Sequence, residues 1–147
     1  MSRRKSWTAG FVLAAAALPL LVGCGGDSVK TYPLKGKIVF KGKGGNLRQL
    51  VGGHVRLQSV SDASLMPVGE IEDDGTFSIG TIVKEKGLAG APAGQYKARI
   101  ELRPLDDEEE SRRRVIPAKY EDFDKSGLTV TVPASGDFVI ELIPLGR

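Results

Sequence analysis

The chain reads as an all-β protein, a seven-stranded antiparallel β-sandwich, and three observations carry that reading. Tyr96, Ala98, Ile100 and Leu102 alternate with Gln95, Lys97, Arg99, Glu101 and Arg103, the pattern of a strand dry on one face and wet on the other. Asp73-Asp74-Gly75 stands between two β-prone runs. That predicts a hairpin with a type I′ turn, which wants φ > 0 at both central residues. No helical period runs beyond residue 24; instead 19 glycines and 8 prolines punctuate short segments. A lone hairpin is marginal in water, so the central pair needs further strands and a second layer.

Taken in order, Met1–Gly23 has the build of a secretory signal. Arg3-Arg4-Lys5 gives a basic start, Phe11–Val22 an apolar run, and small residues close it. The run is well short of the ~20 apolar residues of a spanning helix, and Pro19 interrupts it. Leu21-Val22-Gly23-Cys24 resembles the lipobox of bacterial lipoproteins. That resemblance implies a diacylglyceryl group on the Cys24 sulfur, palmitate on the new N-terminus and cleavage between Gly23 and Cys24. The competing reading is an ordinary core cysteine. Cys24 is the only cysteine, so it makes no internal disulfide, and it has no cysteine or clustered histidine partners for zinc. Ser2-Arg3-Arg4 faintly resembles a twin-arginine signal, but the next residues do not extend the likeness.

Residues 24–33 read as a lipidated tether, whose extended length is roughly 35 Å. In lipoproteins of this kind, Asp directly after the lipidated cysteine goes with inner-membrane retention. Gly25 stands there, which points to the outer membrane. The formal charge of +3 misleads: three of the 21 basic residues are Arg3, Arg4 and Lys5. Without them the basic residues equal the 18 acidic ones, so a high pI gives no reason to expect nucleic acid as a partner.

The folded domain is expected over 34–147. Leu34–Lys41 is strand one, with Ile38 and Phe40 inward. Lys43-Gly44-Gly45-Asn46 turns the chain. Gly53–Ser59 is strand two, with Val55 and Leu57 inward and His54, Arg56 and Gln58 outward. Met66–Glu72 and Thr76–Thr81 are the arms of the central hairpin, with Phe77 and Ile79 on one face. Lys84–Gly94 is a loop and Gln95–Arg103 the next strand. Asp106–Glu110 followed by Arg112-Arg113-Arg114 reads as a solvated loop. Five consecutive acids lack the spacing and turn glycine of a calcium loop. Leu128–Val132 and Phe138–Ile143 are the last strands, with Leu128, Val130, Val132, Phe138, Ile140 and Leu142 inward.

The order of motifs resembles a known family. Gly36-Lys-Ile-Val-Phe, then Gly53-His-Val-Arg-Leu, then Asp74-Gly75-Thr76-Phe77-Ser78, then Pro92-Ala93-Gly94-Gln95-Tyr96 look like the carboxypeptidase regulatory-like domain. The stretches Ile116–Tyr120 and Ser126–Val132 resemble the segment C-terminal to that domain in short bacterial lipoproteins. The likeness covers about Leu34 to Pro144 and implies a transthyretin-like (prealbumin-like) sandwich. One departure is the connection Gly42–Gly53, longer than the compact linker of that family. Gly75 and Gly94 are expected as turn glycines, and Tyr96, by its phase, as a core residue.

No reactive constellation is legible. His54 is the only histidine and its phase puts it outside. No Gly-x-Ser-x-Gly elbow, P-loop or dinucleotide fingerprint is present, so no catalytic residue, cofactor or metal ligand is assigned. Hydroxyisourate hydrolases of transthyretin-like fold use several histidines and a Tyr-Arg-Gly-Ser ending. Intradiol dioxygenases use two Tyr and two His around iron. Neither set exists here. Asn46, the sole asparagine, is the one candidate for a pilin-type isopeptide link.

Three functional readings remain. The first is a membrane-anchored, non-catalytic cell-envelope lipoprotein whose β-sandwich acts as an interaction or structural module. It would make contact through Lys84–Gly94, Asp106–Arg114 or the outward row Lys97, Arg99 and Arg103. The second is a glycan-binding module, which the lack of tryptophan after Trp7 and the inward aromatics count against. The third is a hydrolase on the same fold, against which the missing residues speak.

Overall fold

The structure, a computed structural model, describes residues 29–103 and 115–145. The signal segment, the lipobox residues Gly23 and Cys24, and the Asp106–Arg114 loop lie outside these residues.

Eleven strands form among the described residues rather than seven. They are β1 Thr31–Tyr32, β2 Lys35–Phe40, β3 His54–Ser59, β4 Val68–Glu70, β5 Thr76–Ser78 and β6 Gly80–Val83. The rest are β7 Lys86–Ala89, β8 Ala91–Pro92, β9 Gly94–Glu101, β10 Leu128–Val132 and β11 Phe138–Leu142. Single 3₁₀ turns stand at Leu47–Gln49 and Ala118–Glu121. Strands β10-β9-β3-β4-β6-β7 make a six-stranded sheet, β11-β2-β5 a three-stranded one, and β1 pairs with β8 alone. The chain is thus all-β, with open sheets facing one core in the manner of a sandwich. Ile38, Phe77, Ile140 and Leu142 from the small sheet meet Val55, Leu57, Tyr96, Ala98 and Ile100 from the large one, all essentially without solvent exposure.

Other expectations change as well. The sandwich is not wholly antiparallel, because β11 runs parallel to β2, Ile140 opposite Ile38. Alternation sets which face is buried and says nothing of strand direction. The ordered fold begins at Thr31, inside the span read as tether, because β1 pairs with β8. The stretch read as the Lys84–Gly94 loop holds β7 and β8, whose Gly- and Ala-rich sequence hides the period. Gly94 opens β9 rather than turning the chain.

The central hairpin differs most. Glu72 O accepts from the Gly75 N–H (2.9 Å) and Glu72 N–H donates to Thr76 O (2.9 Å). Only Gly75 has positive φ, at 79°. This is a three-residue loop closed by a left-handed glycine, not a type I′ turn. Asp74 Oδ1 accepts from both the backbone N–H (2.9 Å) and Oγ1 (2.6 Å) of Thr76, and these bonds hold its carboxyl below the usual range. The two arms then part. β4 joins the large sheet and β5 the small one. A Cβ on Gly69 would lie 2.6 Å from Ser78 O, so only glycine lets the arms cross this closely. The run Thr76–Val83 changes sheets at Ile79, whose N–H donates to Leu34 O (2.9 Å) and whose O accepts from Gly90 N–H (2.7 Å).

The turn with two positive φ values is elsewhere, at Lys84 (48°) and Glu85 (65°), between Val83 and its partner Lys86. Neither is a residue that favours that region. Glu85→Gly is expected to stabilise the fold by about 0.5–1 kcal/mol, after glycine's extra chain entropy is deducted. The check is a higher urea midpoint with an unchanged slope.

Candidate functional site

Two outward surfaces carry polar chemistry. The first is the outer face of the β3–β9–β10 half of the large sheet. Antiparallel register sets Arg56 opposite Arg99, and His54 opposite both Glu70 and Glu101. Arg56 Nε donates to Glu101 Oε2 at 2.6 Å, and Arg99 Nη2 lies 4.0 Å from the same oxygen. The Arg56 bond, more than the charges around it, holds the Glu101 carboxyl below its usual range. The chain after the Ala118–Glu121 turn lays Phe123 under Arg99, whose guanidinium stands 4.8 Å from the ring centre. Asp124 binds Lys97 Nζ. Asp122 Oδ1 fixes this loop by accepting the N–H groups of Asp124 (2.8 Å) and Lys125 (3.1 Å), the first of which does most to lower its pKa.

The outward row Lys97, Arg99 and Arg103 is therefore no open basic strip. Lys97 is paired, and Arg99 is shared between a ring and a carboxylate. The sequence reading missed this because the neutralising residues, Phe123 and Asp124, come from a distant connection. The two buried side-chain polar atoms without a partner among the described residues both fall here, Arg99 Nε and Glu121 Oε1. This corner holds hydrogen-bonding capacity that the described fold does not use.

The second surface is an open cleft of about 470 Å³ lined by Arg48, Val51 and Asp73. It lies between the long β2–β3 connection and the β4–β5 turn. Asn46 accounts for its near wall: the Asn46 Oδ1 accepts from the Arg48 N–H (3.1 Å) and caps the 3₁₀ turn that carries Arg48. Asn46 thus has a local role in building the cleft. Leu50, at the end of that turn, is buried and ties the connection to the core. The cleft is lined by a cation, a carboxylate and an apolar side chain. Its members come from two loops, so neither loop alone signals it.

The remaining candidates from the sequence sit as core or surface residues. His54 is half-buried on the outer face. Tyr96 is buried at 1% exposure and donates its hydroxyl to Pro92 O (2.8 Å), while burial raises its phenol pKa. Tyr120 is buried too, its hydroxyl accepting from Ile143 N–H (3.2 Å). Among the described residues no three His, Cys, Asp or Glu side chains converge as a metal site would need.

The Arg56–Glu101 pair links β3 to β9 across the outer face, with side chains 30% and 40% exposed. Glu101→Gln is expected to cost about 1 kcal/mol at neutral pH, the upper end for a pair this wet. Because folding depresses the Glu101 pKa, its contribution is complete above the ordinary value of 4.5 and fades as pH falls through the folded pKa. Urea midpoints of wild type and variant should converge on going from pH 7 into that acid range. A constant gap would contradict the assignment.

No family model matches this chain, and neither a curated protein nor a solved structure matches it.

Proposed function

We propose that this chain is a lipid-anchored lipoprotein of a bacterial cell envelope, whose β-sandwich works by contact rather than by catalysis. The carrying observation is Leu21-Val22-Gly23-Cys24, with the only cysteine placed directly after a basic start and a short apolar run. In this reading the Cys24 thiol forms a thioether to diacylglycerol, cleavage after Gly23 frees the amine, and acyl chains at ~0.8 kcal/mol per buried CH₂ hold the protein to the bilayer. The outer membrane is the proposed site, on Gly25. The domain is of the carboxypeptidase regulatory-like, transthyretin-like kind.

The partner is a protein of the envelope. The Arg48–Asp73 cleft and the Arg99–Phe123–Glu121 corner are its contact surfaces, because both present fixed charges beside apolar surface. Mass spectrometry of the mature N-terminus, with labelled palmitate fed to the cells, tests the anchor. The expected species begins at Cys24 and carries diacylglycerol; an unmodified Cys24 in a soluble chain would remove it. Cross-linking in intact cells from a photoreactive group at Asp73 tests the partner. A discrete protein adduct is expected, and retention on a glycan array without one would shift the reading to carbohydrate.

A further inference from the structure

The most exposed apolar side chains of the large sheet are not scattered. Ile82 is 75% exposed, Val60 59% and Met66 43%. Val68 of β4 lies opposite Gly80 of β6. That is the one pair of the β4–β6 ladder; two residues beyond it on either side, Met66 and Ile82 stand on the same outer face, and Ile82 lies opposite Gly87 of β7. Leu57 N–H donates to Pro67 O and Ser59 N–H to Leu65 O, which brings Met66 beside Gln58 and diagonal to Val60. The three side chains thus share one corner of the outer face, where Gly80 and Gly87 have no side chains to cover them. A grouped apolar surface of this kind marks a contact.

Its position names the occupant. Thr31 pairs with Pro92, Gly94 opens β9, and Gln95 O accepts from Val60 N–H at 2.9 Å. The chain therefore leaves the domain toward Cys24 beside the Val60 corner, and Val29 is itself 39% exposed. Only Gly25-Gly26-Asp27-Ser28 separate Cys24 from Val29. That length spans at most about 18 Å.

We propose that the Val60–Met66–Ile82 patch rests on the bilayer surface to which Cys24 is anchored, with its side chains entering the headgroup boundary. The proposal builds on the lipid anchor at Cys24. The adjoining turns carry Lys84, Glu85 and Lys86 after Ile82 and Asp62 after Val60, a nearly balanced set. The attraction is therefore apolar and survives high salt. It would fix the domain's orientation and leave the Arg48–Asp73 cleft, built on the Asp73-side turns, for other contacts.

The one tryptophan is Trp7, so a chain starting at residue 24 has none and a single introduced tryptophan reports cleanly. Ile82→Trp is placed in lipidated protein reconstituted in vesicles of phosphatidylethanolamine and phosphatidylglycerol. Val139→Trp, on the outer face of the other sheet, is the reference. Brominated acyl chains are expected to quench Ile82→Trp at least about fivefold more than Val139→Trp, with a blue shift that persists in high salt. Equal, weak quenching at both positions would overturn the proposal. So would a blue shift of Ile82→Trp that needs no vesicles and grows with protein concentration, the sign of a second copy on the patch. If Cys24 proves unmodified in cells, the anchor reading fails separately. The same probe on the unlipidated chain, with vesicles in excess, then decides the patch by itself: quenching keeps it and its absence removes it.

Discussion

Gly90→Ala is expected to destabilise the fold by about 3 kcal/mol, a left-handed backbone penalty added to overpacking. Gly90 has φ of 85°. A Cβ there would sit 2.0 Å from Tyr32 O and 2.4 Å from Tyr32 C. These are backbone atoms and cannot swing aside. Gly90 cannot move off either, because its N–H donates to Ile79 O (2.7 Å) and its O accepts from Thr81 Oγ1 (2.6 Å). The Tyr32–Ala91 pairing is what gives way, and with it β1. Gly87→Ala is the control: nothing lies within 4 Å of its Cβ, so its effect should stay within about 0.5 kcal/mol. Urea titrations of both decide the matter. Indistinguishable midpoints for Gly90→Ala and wild type would show that β1 does not dock as described.

Phe77→Ala is expected to cost about 3–5 kcal/mol, the range for emptying an aromatic site in a core. Phe77 is 2% exposed and meets Phe138 edge-on, with centroids 6.1 Å apart and planes at 89°. Its ring fills the space where Gly36 lacks a side chain: a Cβ on Gly36 would lie 2.3 Å from the Phe77 Cζ. Truncation therefore opens a void that reaches β2 and β11 together. Refilling it from Gly36 is blocked, because the same Cβ would also lie 2.3 Å from Phe138 O. Phe77→Leu keeps most of the volume and should cost about half as much. Thermal unfolding of the three proteins gives the order wild type, Phe77→Leu, Phe77→Ala. An alanine variant within about 1 kcal/mol of wild type would mean that the small sheet does not pack on this ring.

Much of the fold is legible because alternation reports burial directly. Leu128–Val132 has the same bounds in sequence and structure, and β3 and β9 differ at their ends only. Tyr96 inward and His54 outward follow from the same phase. What alternation cannot carry is the identity of a strand's neighbour. The Asp73-Asp74-Gly75 turn forms, yet its arms serve different sheets, since that depends on Gly69 letting Ser78 pass. The β6–β7 turn is invisible because Lys84 and Glu85 occupy positions where glycine or asparagine is the usual signal. Ile82 continues the outward phase of Gly80, but a strand ended at Thr81 leaves it unread. The Arg48–Asp73 cleft and the Phe123–Arg99 stack join segments far apart in sequence, and no local pattern announces such a meeting.

The parallel pairing of β11 with β2 sets an order of events. Lys41 and Glu141, separated by 100 positions, meet at 3.5 Å beside that seam. No tight turn brings two parallel strands together, so the seam forms only after a long loop has closed. A chain delivered N-terminus first leaves Ile38 and Phe77 without their cover until residues 138–142 emerge. Docking of β11, the last strand among the described residues, is therefore expected to be a late step in folding of the domain.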